Sequence, residues 1–406
     1  MKNRVFMPAD ILIPEGISRE KWAVIACDQF SAEPEYWKAV EEVVGDAPSM
    51  LNIIVPEAYL GKYDEAAKNK LVGDTMKHYL KSGIFNEIKN SFIYVERLQS
   101  DGKTRRGIIG CVDLEEYDFS GKKGAAILAS EATVLDRLPP RILVRREASL
   151  ESPHIMALID DKNNSVVEPL AKKTDNLPLL YDFPLMLGGG HVKGYRVFGA
   201  AAEEVTAALD KLHEVSDPLL VMGDGNHSLA AAKSFWDEIK QNLSENERVN
   251  HVARYALLEI NNVYDPAIGF EPIHRVLFDV DSADFIKEFE AAMPAGNEYN
   301  IEWIAGEKSG NVGISANCIG DMLSVLQNFL DDYAKRHKLE QEYIHGDTAL
   351  EKLAKRGNNV GLLLPAMDKS EIFKTVTETG VFPRKSFSIG HARDKRYYFE
   401  CRKIVM

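Results

Sequence analysis

Residues 219–233 read Leu-Leu-Val-Met-Gly-Asp-Gly-Asn-His-Ser-Leu-Ala-Ala-Ala-Lys, and Gly223, Asp224, Gly225, Asn226 and His227 combine residue types that ligand chemistry needs. Glycines let a backbone approach a ligand closely, and the unpaired N–H groups of a helix's first turn favour an anion. Asp224 could bind a divalent cation or accept a substrate proton, and His227 could donate to a phosphate oxygen. A tight strand-to-helix turn in which Asp224 or Asn226 merely caps the helix fits the same spacing. The small stripe Ala230-Ala231-Ala232 suits close packing beneath a site and leans toward function.

The elements that must position these residues are read from periodicity and punctuation. Apolar runs at 22–27, ending at Asp28, and at 51–55 predict strands; helical spacing predicts helices over 34–44, with Pro34 at a first-turn position, and 64–80. From 91 to 197 the texture is β-rich. One hairpin is expected at 92–95 and 107–112 around Asp101-Gly102, and a second at 155–159 and 166–170 around residues 161–164. Helices follow at 202–213, 229–239, 283–293 and 322–337, and strands at 218–222, 255–260, 275–280, 360–364 and 396–401. Strands and helices mix without strict alternation, so the fold class is α+β (mixed α/β). The polar connector at 242–250 suggests an N-terminal unit 1–245 and a C-terminal α/β unit 246–406. Gly188-Gly189-Gly190-His191-Val192-Lys193-Gly194 lacks the order of a phosphate-binding P-loop. It reads as a hairpin connection, or as a flap with His191 reaching into the site.

The 406 residues carry 62 acidic and 49 basic side chains, a net charge of −13, which disfavours nucleic acid as a partner. Cys27, Cys111, Cys318 and Cys401 are scattered, so neither a disulfide framework nor structural zinc is expected. No apolar segment is long enough for a membrane span or a signal peptide, so a cytoplasmic protein with a small-molecule ligand is expected, and a homo-oligomer is allowed.

Several motifs resemble, in order, one uncharacterised bacterial and archaeal family, catalogued as domain of unknown function number 1015. Asp224-Gly225-Asn226-His227-Ser228 stands where that family carries Asp-Gly-His-His-Arg before a small-residue helix. Ser130-Glu131-Ala132-Thr133, with Asp136-Arg137, is similar to its His-Glu-x-Thr and Asp-Arg element. Asp265-Pro266 and Pro272-Ile273-His274-Arg275 resemble its Asp-Pro and Pro-Thr-His-Arg stretch, and Phe382-Pro383-Arg384-Lys385-Ser386 its Met-Pro-x-Lys-Ser. The likeness runs through 117–161 and 188–399.

The family box is itself similar to the nucleotide-binding box of the ParB-like superfamily, which includes ParB CTPases, sulfiredoxin and a free-serine kinase. The resemblance implies a ParB-like nucleotide-binding core, with a β-rich middle and a C-terminal α/β region. It places Gly225, Asn226 and His227 on phosphates of ATP, ADP or CTP, with Mg²⁺ at Asp224. Glu131, Arg137, His274, Arg275 and Lys385 would complete the pocket, with Lys193 a further cation. Asp28 or Glu33 would be the base that activates a small hydroxyl-bearing metabolite for phosphoryl transfer. A metabolite-sensing module without turnover is the alternative.

Three departures bear on this. Ser228 replaces an arginine that would clamp phosphate in a bidentate, permanently charged contact worth ~1.5–3 kcal/mol. Asn226 and Ser130 replace histidines, removing titratable groups.

Overall fold

The computed structural model describes residues 4–59, 61–121 and 124–405. The chain is mixed α/β, as the element pattern predicts, and among the described residues its strands form two large sheets and two short pairs. The larger, eleven-stranded sheet runs in the order Leu179–Pro184, His191–Val197, Phe85–Leu98, Thr104–Asp113, Tyr255–Asn262, Met156–Ile159, Leu220–Asp224, Ile127–Leu128, Tyr117–Asp118; Phe6–Met7 and Ala9–Pro14 pair beside this path. Its pairings are antiparallel, except that Tyr255–Asn262 runs parallel to Met156–Ile159, and Ile127–Leu128 parallel to both of its neighbours.

Both faces of this sheet are buried, and the two-residue period of a strand divides the side chains between them. Ile93, Val95, Ile109 and Cys111 join a core with Trp22, Trp37 and the helices Pro34–Val44 and Glu65–Lys81. Phe92, Tyr94, Ile108 and Val112 join another with Leu229, the three alanines and Trp236 of the helix Asn226–Ile239. Trp236 is fully buried and its indole N–H donates to Glu115 Oε1 at 2.6 Å, so Trp236→Ala costs about 3–5 kcal/mol.

The six-stranded sheet, ordered Lys308–Ile314, Ala295–Ala305, Val360–Leu363, Phe270–Leu277, Gln341–His345 with Phe387–Ile389 on the end of Phe270–Leu277, is covered by Ser282–Ala292 and Ile319–His337. Its core continues into Leu128, Met156, Leu158 and Val221 of the larger sheet. The polar connector at 242–250 does not separate the sheets: Tyr255–Asn262 lies beyond it yet is a central strand of the larger one. The chain crosses between sheets after Asn262, and the C-terminus returns, pairing Tyr397–Tyr398 with Val24–Ile25 and Arg402–Lys403 with Leu150–Glu151. No helix is long and apolar enough to cross a membrane among the described residues.

Three expected strands take other forms. Trp22 ends a helical turn, Arg19–Trp22, capped by Ser18, so the strand shrinks to Val24–Ile25. At Met50–Ile53 the Ser49 hydroxyl accepts from Leu51 N–H and closes a 3₁₀ turn, burying the apolar run without a sheet partner. The second strand of the hairpin expected at 166–170 is replaced by the turn Glu168–Ala171, with Pro169 in its first turn. The Asp161 carboxylate accepts from the N–H groups of Ser165 and Val166, folding the chain back before a strand can form.

Candidate functional site

The strand Leu220–Asp224 meets its antiparallel neighbour with a register shift between Met222 and Asp224, so Gly223 is the bulged residue. A Cβ there would meet Ile389 Cδ1 at 2.9 Å and Leu158 Cγ at 3.2 Å. Gly225 then turns the chain in the left-handed region, φ +77°, and the helix Asn226–Ile239 starts. A side chain at Gly225 would be strained by φ and would press on Ile155, 3.0–3.3 Å away.

Asp224 is tied into its surroundings through both oxygens. Oδ1 accepts from Gly225 N–H at 2.8 Å, and Oδ2 lies 3.1 Å from Lys395 Nζ. Burial pushes its carboxyl up, but the Lys395 ammonium, with His154 and the Gly225 N–H, outweighs burial and holds it below the ordinary carboxylate range. An ammonium therefore stands where a divalent cation would compensate Asp224. With the Gly225 N–H on Oδ1 and the Lys395 ammonium on Oδ2, this carboxylate does not offer a fitting donor set for Mg²⁺.

Glu131 belongs to the same cluster. It forms a parallel bridge with Phe382, and Oε1 accepts from Ser386 N–H at 3.1 Å. Burial raises its carboxyl to about 7; the backbone N–H groups of Ser386, Lys385 and Phe387 oppose the rise, and the Asp224 charge adds to it. Lys385 takes a left-handed conformation, φ +54°, which turns this loop onto Glu131, and its ammonium lies 5.4 Å from the centre of the Tyr343 ring. Arg275 is buried and its guanidinium lies over the same Tyr343 ring, 4.4 Å from the ring centre, with Nε donating to Gln327 Oε1 at 3.0 Å. The Arg275 and Glu131 charges interact.

His227 faces a second group of residues. Its Nε2 accepts from Val134 N–H at 3.2 Å, which puts the ring proton on Nδ1. Burial, reinforced by the charges of Arg141 and Arg137, pushes the imidazole down to about 4; Asp28 opposes them. His227 is therefore a neutral Nδ1–H donor at neutral pH. Asn226 spans to the Glu131 segment, with Oδ1 accepting from Ser130 N–H and Nδ2 donating to Ser130 Oγ, both at 3.2 Å. The two residues that replace family histidines thus bond each other.

The structure brings Glu131, Asp224, Arg275 and Lys385 into one interacting group, and Asp28, Arg137 and His227 into a second. Four expected residues lie apart. Glu33 is exposed just before Pro34 and its side chain caps nothing. His191 pairs with Asp182 across its hairpin, as does Lys193 at 3.0 Å. The glycine connection before them is packed, since a Cβ on Gly189 would overlap Tyr397 and one on Gly190 the Leu98 carbonyl. His274 is buried, donating Nε2–H to Asp347 Oδ1 at 2.9 Å and accepting Leu364 N–H on Nδ1 at 3.1 Å, which is a structural tie.

Two residues at the site carried no local signal in the sequence. Lys395 follows a surface-like Ala392-Arg393-Asp394 run, and His154 follows a proline outside any motif. His154 Nε2 lies 3.1 Å from Ser228 Oγ, and its ring sits edge-on to Tyr398 at 5.3 Å.

Free serine kinase in complex with AMP is similar at a TM-score of 0.39 and 12% identity, covering 72% of this chain and 91% of that one. A conserved hypothetical protein from Pyrococcus furiosus is similar at 0.37 and 12%, covering 72% and 94%. C-terminally truncated SbnI from Staphylococcus aureus is similar at 0.37 and 10%, covering 70% and 82%. No curated protein matches the chain by sequence. The family described as protein of unknown function (DUF1015) matches residues 14–376, so the chain belongs to that family.

Proposed function

We propose that the chain binds nucleotide phosphates at the Gly223–Ser228 turn and transfers a phosphoryl group to a small hydroxyl-bearing metabolite. One observation carries this reading: Glu131, a carboxyl held near neutrality, shares a cluster with the Asp224–Lys395 pair at the mouth of a glycine-opened helix. The first-turn N–H groups and the neutral Nδ1–H of His227 suit phosphate oxygens. Lys395, Lys385 and Arg275 supply the positive charge that Ser228 no longer provides. A base whose pKa lies close to the working pH suits removal of a hydroxyl proton, and Glu131 meets that condition. The chemistry rests on positioning and charge neutralisation, with any magnesium arriving on the nucleotide's own phosphates.

Isothermal titration with ATP, ADP and CTP in the presence of Mg²⁺ tests the reading. Saturable binding of at least one is expected, together with phosphoryl transfer to a member of a panel of amino-acid and other small alcohols. No binding of any at millimolar concentration sinks it. The closed Asp224–Lys395 pair and the missing arginine favour a second reading, a nucleotide sensor, which binding without transfer or phosphate release across the panel would select.

A further inference from the structure

Ser228 occupies the third position of the helix Asn226–Ile239, where a serine hydroxyl can face solvent or bond to nearby backbone. Here it turns to an imidazole instead, with Ser228 Oγ and His154 Nε2 3.1 Å apart. His154 is held from three sides: its ring lies edge-on to Tyr398, the strand Met156–Ile159 starts two residues on, and the Asp224 carboxylate acts on it through space. Tyr398 is itself fixed, its hydroxyl donating to Cys27 Sγ at 3.1 Å and accepting Cys27 N–H at 3.3 Å. Both members of the Ser–His pair are half-buried. A hydroxyl, an imidazole within hydrogen-bonding reach and a carboxylate acting on that imidazole have the composition of an activated nucleophile.

We propose that Ser228 is a nucleophile toward phosphorus electrophiles, activated by His154, and that it accepts the phosphoryl group before any metabolite does. In this step Ser228 Oγ bonds to phosphorus, the bond from phosphorus to the leaving oxygen breaks, and the hydroxyl proton passes to His154 Nε2. With a nucleoside triphosphate the leaving group is the nucleoside diphosphate. That identity of the donor rests on the function proposed above, whereas the nucleophile itself does not. The product suits its place, because a phosphoserine in the first turn of a helix is favoured by the free N–H groups and the helix dipole. Lys395, beside Asp224, adds a positive charge to the same mouth. The residue that replaces the expected phosphate-clamping arginine thus becomes the one that bonds phosphorus covalently.

The test uses a fluorophosphonate, which reacts with an activated serine by losing fluoride and needs no nucleotide site. The intact protein should form one adduct, mapped by peptide mass spectrometry to Ser228. Ser228→Ala should abolish it, and His154→Gln should slow it at least ~10-fold, with melting curves confirming that both variants fold. Mapping in the unmodified protein decides the matter even if a variant does not fold. Adducts scattered over surface serines, or a rate unchanged in His154→Gln, overturn the proposal. A Ser228 adduct in a protein that binds no nucleotide keeps the nucleophile and removes the nucleotide reading. Metabolite phosphorylation that survives in Ser228→Ala keeps the nucleotide reading and removes the nucleophile.

Discussion

Lys395 places its ammonium 3.1 Å from Asp224 Oδ2, with about a tenth of its side chain exposed against about a fifth for the aspartate. The pair joins the C-terminal segment to the end of the strand Leu220–Asp224. The segment is itself anchored, because Arg97 donates to the carbonyls of Arg393 and Lys395, and Arg105 donates to that of Asp394 at 2.7 Å. The cluster at the box is therefore completed by residues that close onto it from the far end of the chain.

Lys395→Met keeps most of the side-chain volume and removes the charge, leaving Asp224 partly buried beside Glu131 without its cation. We expect a loss of about 1–3 kcal/mol at pH 7 in chemical denaturation, with weaker nucleotide binding. The lysine depresses the Asp224 pKa, so the stability it brings is present above the ordinary carboxylate range and is lost as pH falls through the depressed folded-state value. The gap between the two proteins should therefore narrow toward acid. A gap that stays constant as pH falls would contradict the ion pair's role.

Gly225→Ala combines a left-handed backbone with a Cβ pressed on Ile155. The backbone alone costs about 1–2 kcal/mol. Gly223→Ala has no such φ, and its nearest obstacle is the far end of the Ile389 side chain, so it should cost less. Denaturation midpoints of the two variants test that order, and equal losses would refute it.

Local features of this site were legible in the sequence and remote ones were not. The helix Pro34–Val44 was set by a proline at its first turn and an apolar stripe at Trp37, Val40 and Val44, all residues within one element. The Gly-Asp-Gly turn announces itself because the bulge and the positive φ need glycine where they occur. Lys395 and His154 lack any such signature, because each acquires its role from a partner reached only through the folded sheet, Asp224 in one case and Ser228 in the other. The apolar runs at 51–55 and 166–170 mislead for a related reason. Their burial is real, but whether a buried run becomes a strand depends on an available sheet edge and on side chains such as Ser49 and Asp161 that close a turn first.

His227 should remain neutral through the range in which most histidines titrate. With its imidazole pushed down to about 4, the folded state binds a proton later than the unfolded chain does. Stability from this group is complete above pH ~6.5 and is lost as pH falls from there through about 4. Nitrogen-15 spectra of the ring should show the Nδ1–H tautomer, unchanged from pH ~8 to ~5.5. A titration midpoint near 6.5 would show that Nε2 is not engaged by Val134.

Glu131 works in the opposite direction over an overlapping window, so the two residues must be separated by mutation. Its folded-state value, about 7, lies above the unfolded value near 4.5. Below pH ~4.5 the carboxyl is neutral in both states and costs nothing. Between 4.5 and 7 the folded state holds a proton that the unfolded state has released, so stability falls as pH rises. Above 7 the full penalty of an ionised, buried carboxylate applies, up to about 3 kcal/mol at ~1.4 kcal/mol per unit, and less where water reaches it. Glu131→Gln keeps an oxygen to accept Ser386 N–H and carries no charge. The variant should match the parent near pH 4.5 and exceed its stability increasingly up to pH ~7.5. If Glu131 is the base that removes the hydroxyl proton, phosphoryl transfer should fall at least ~100-fold in the same variant while nucleotide binding persists. A more stable protein with unchanged turnover would leave Glu131 a strained structural carboxyl and return the base's role to Asp28.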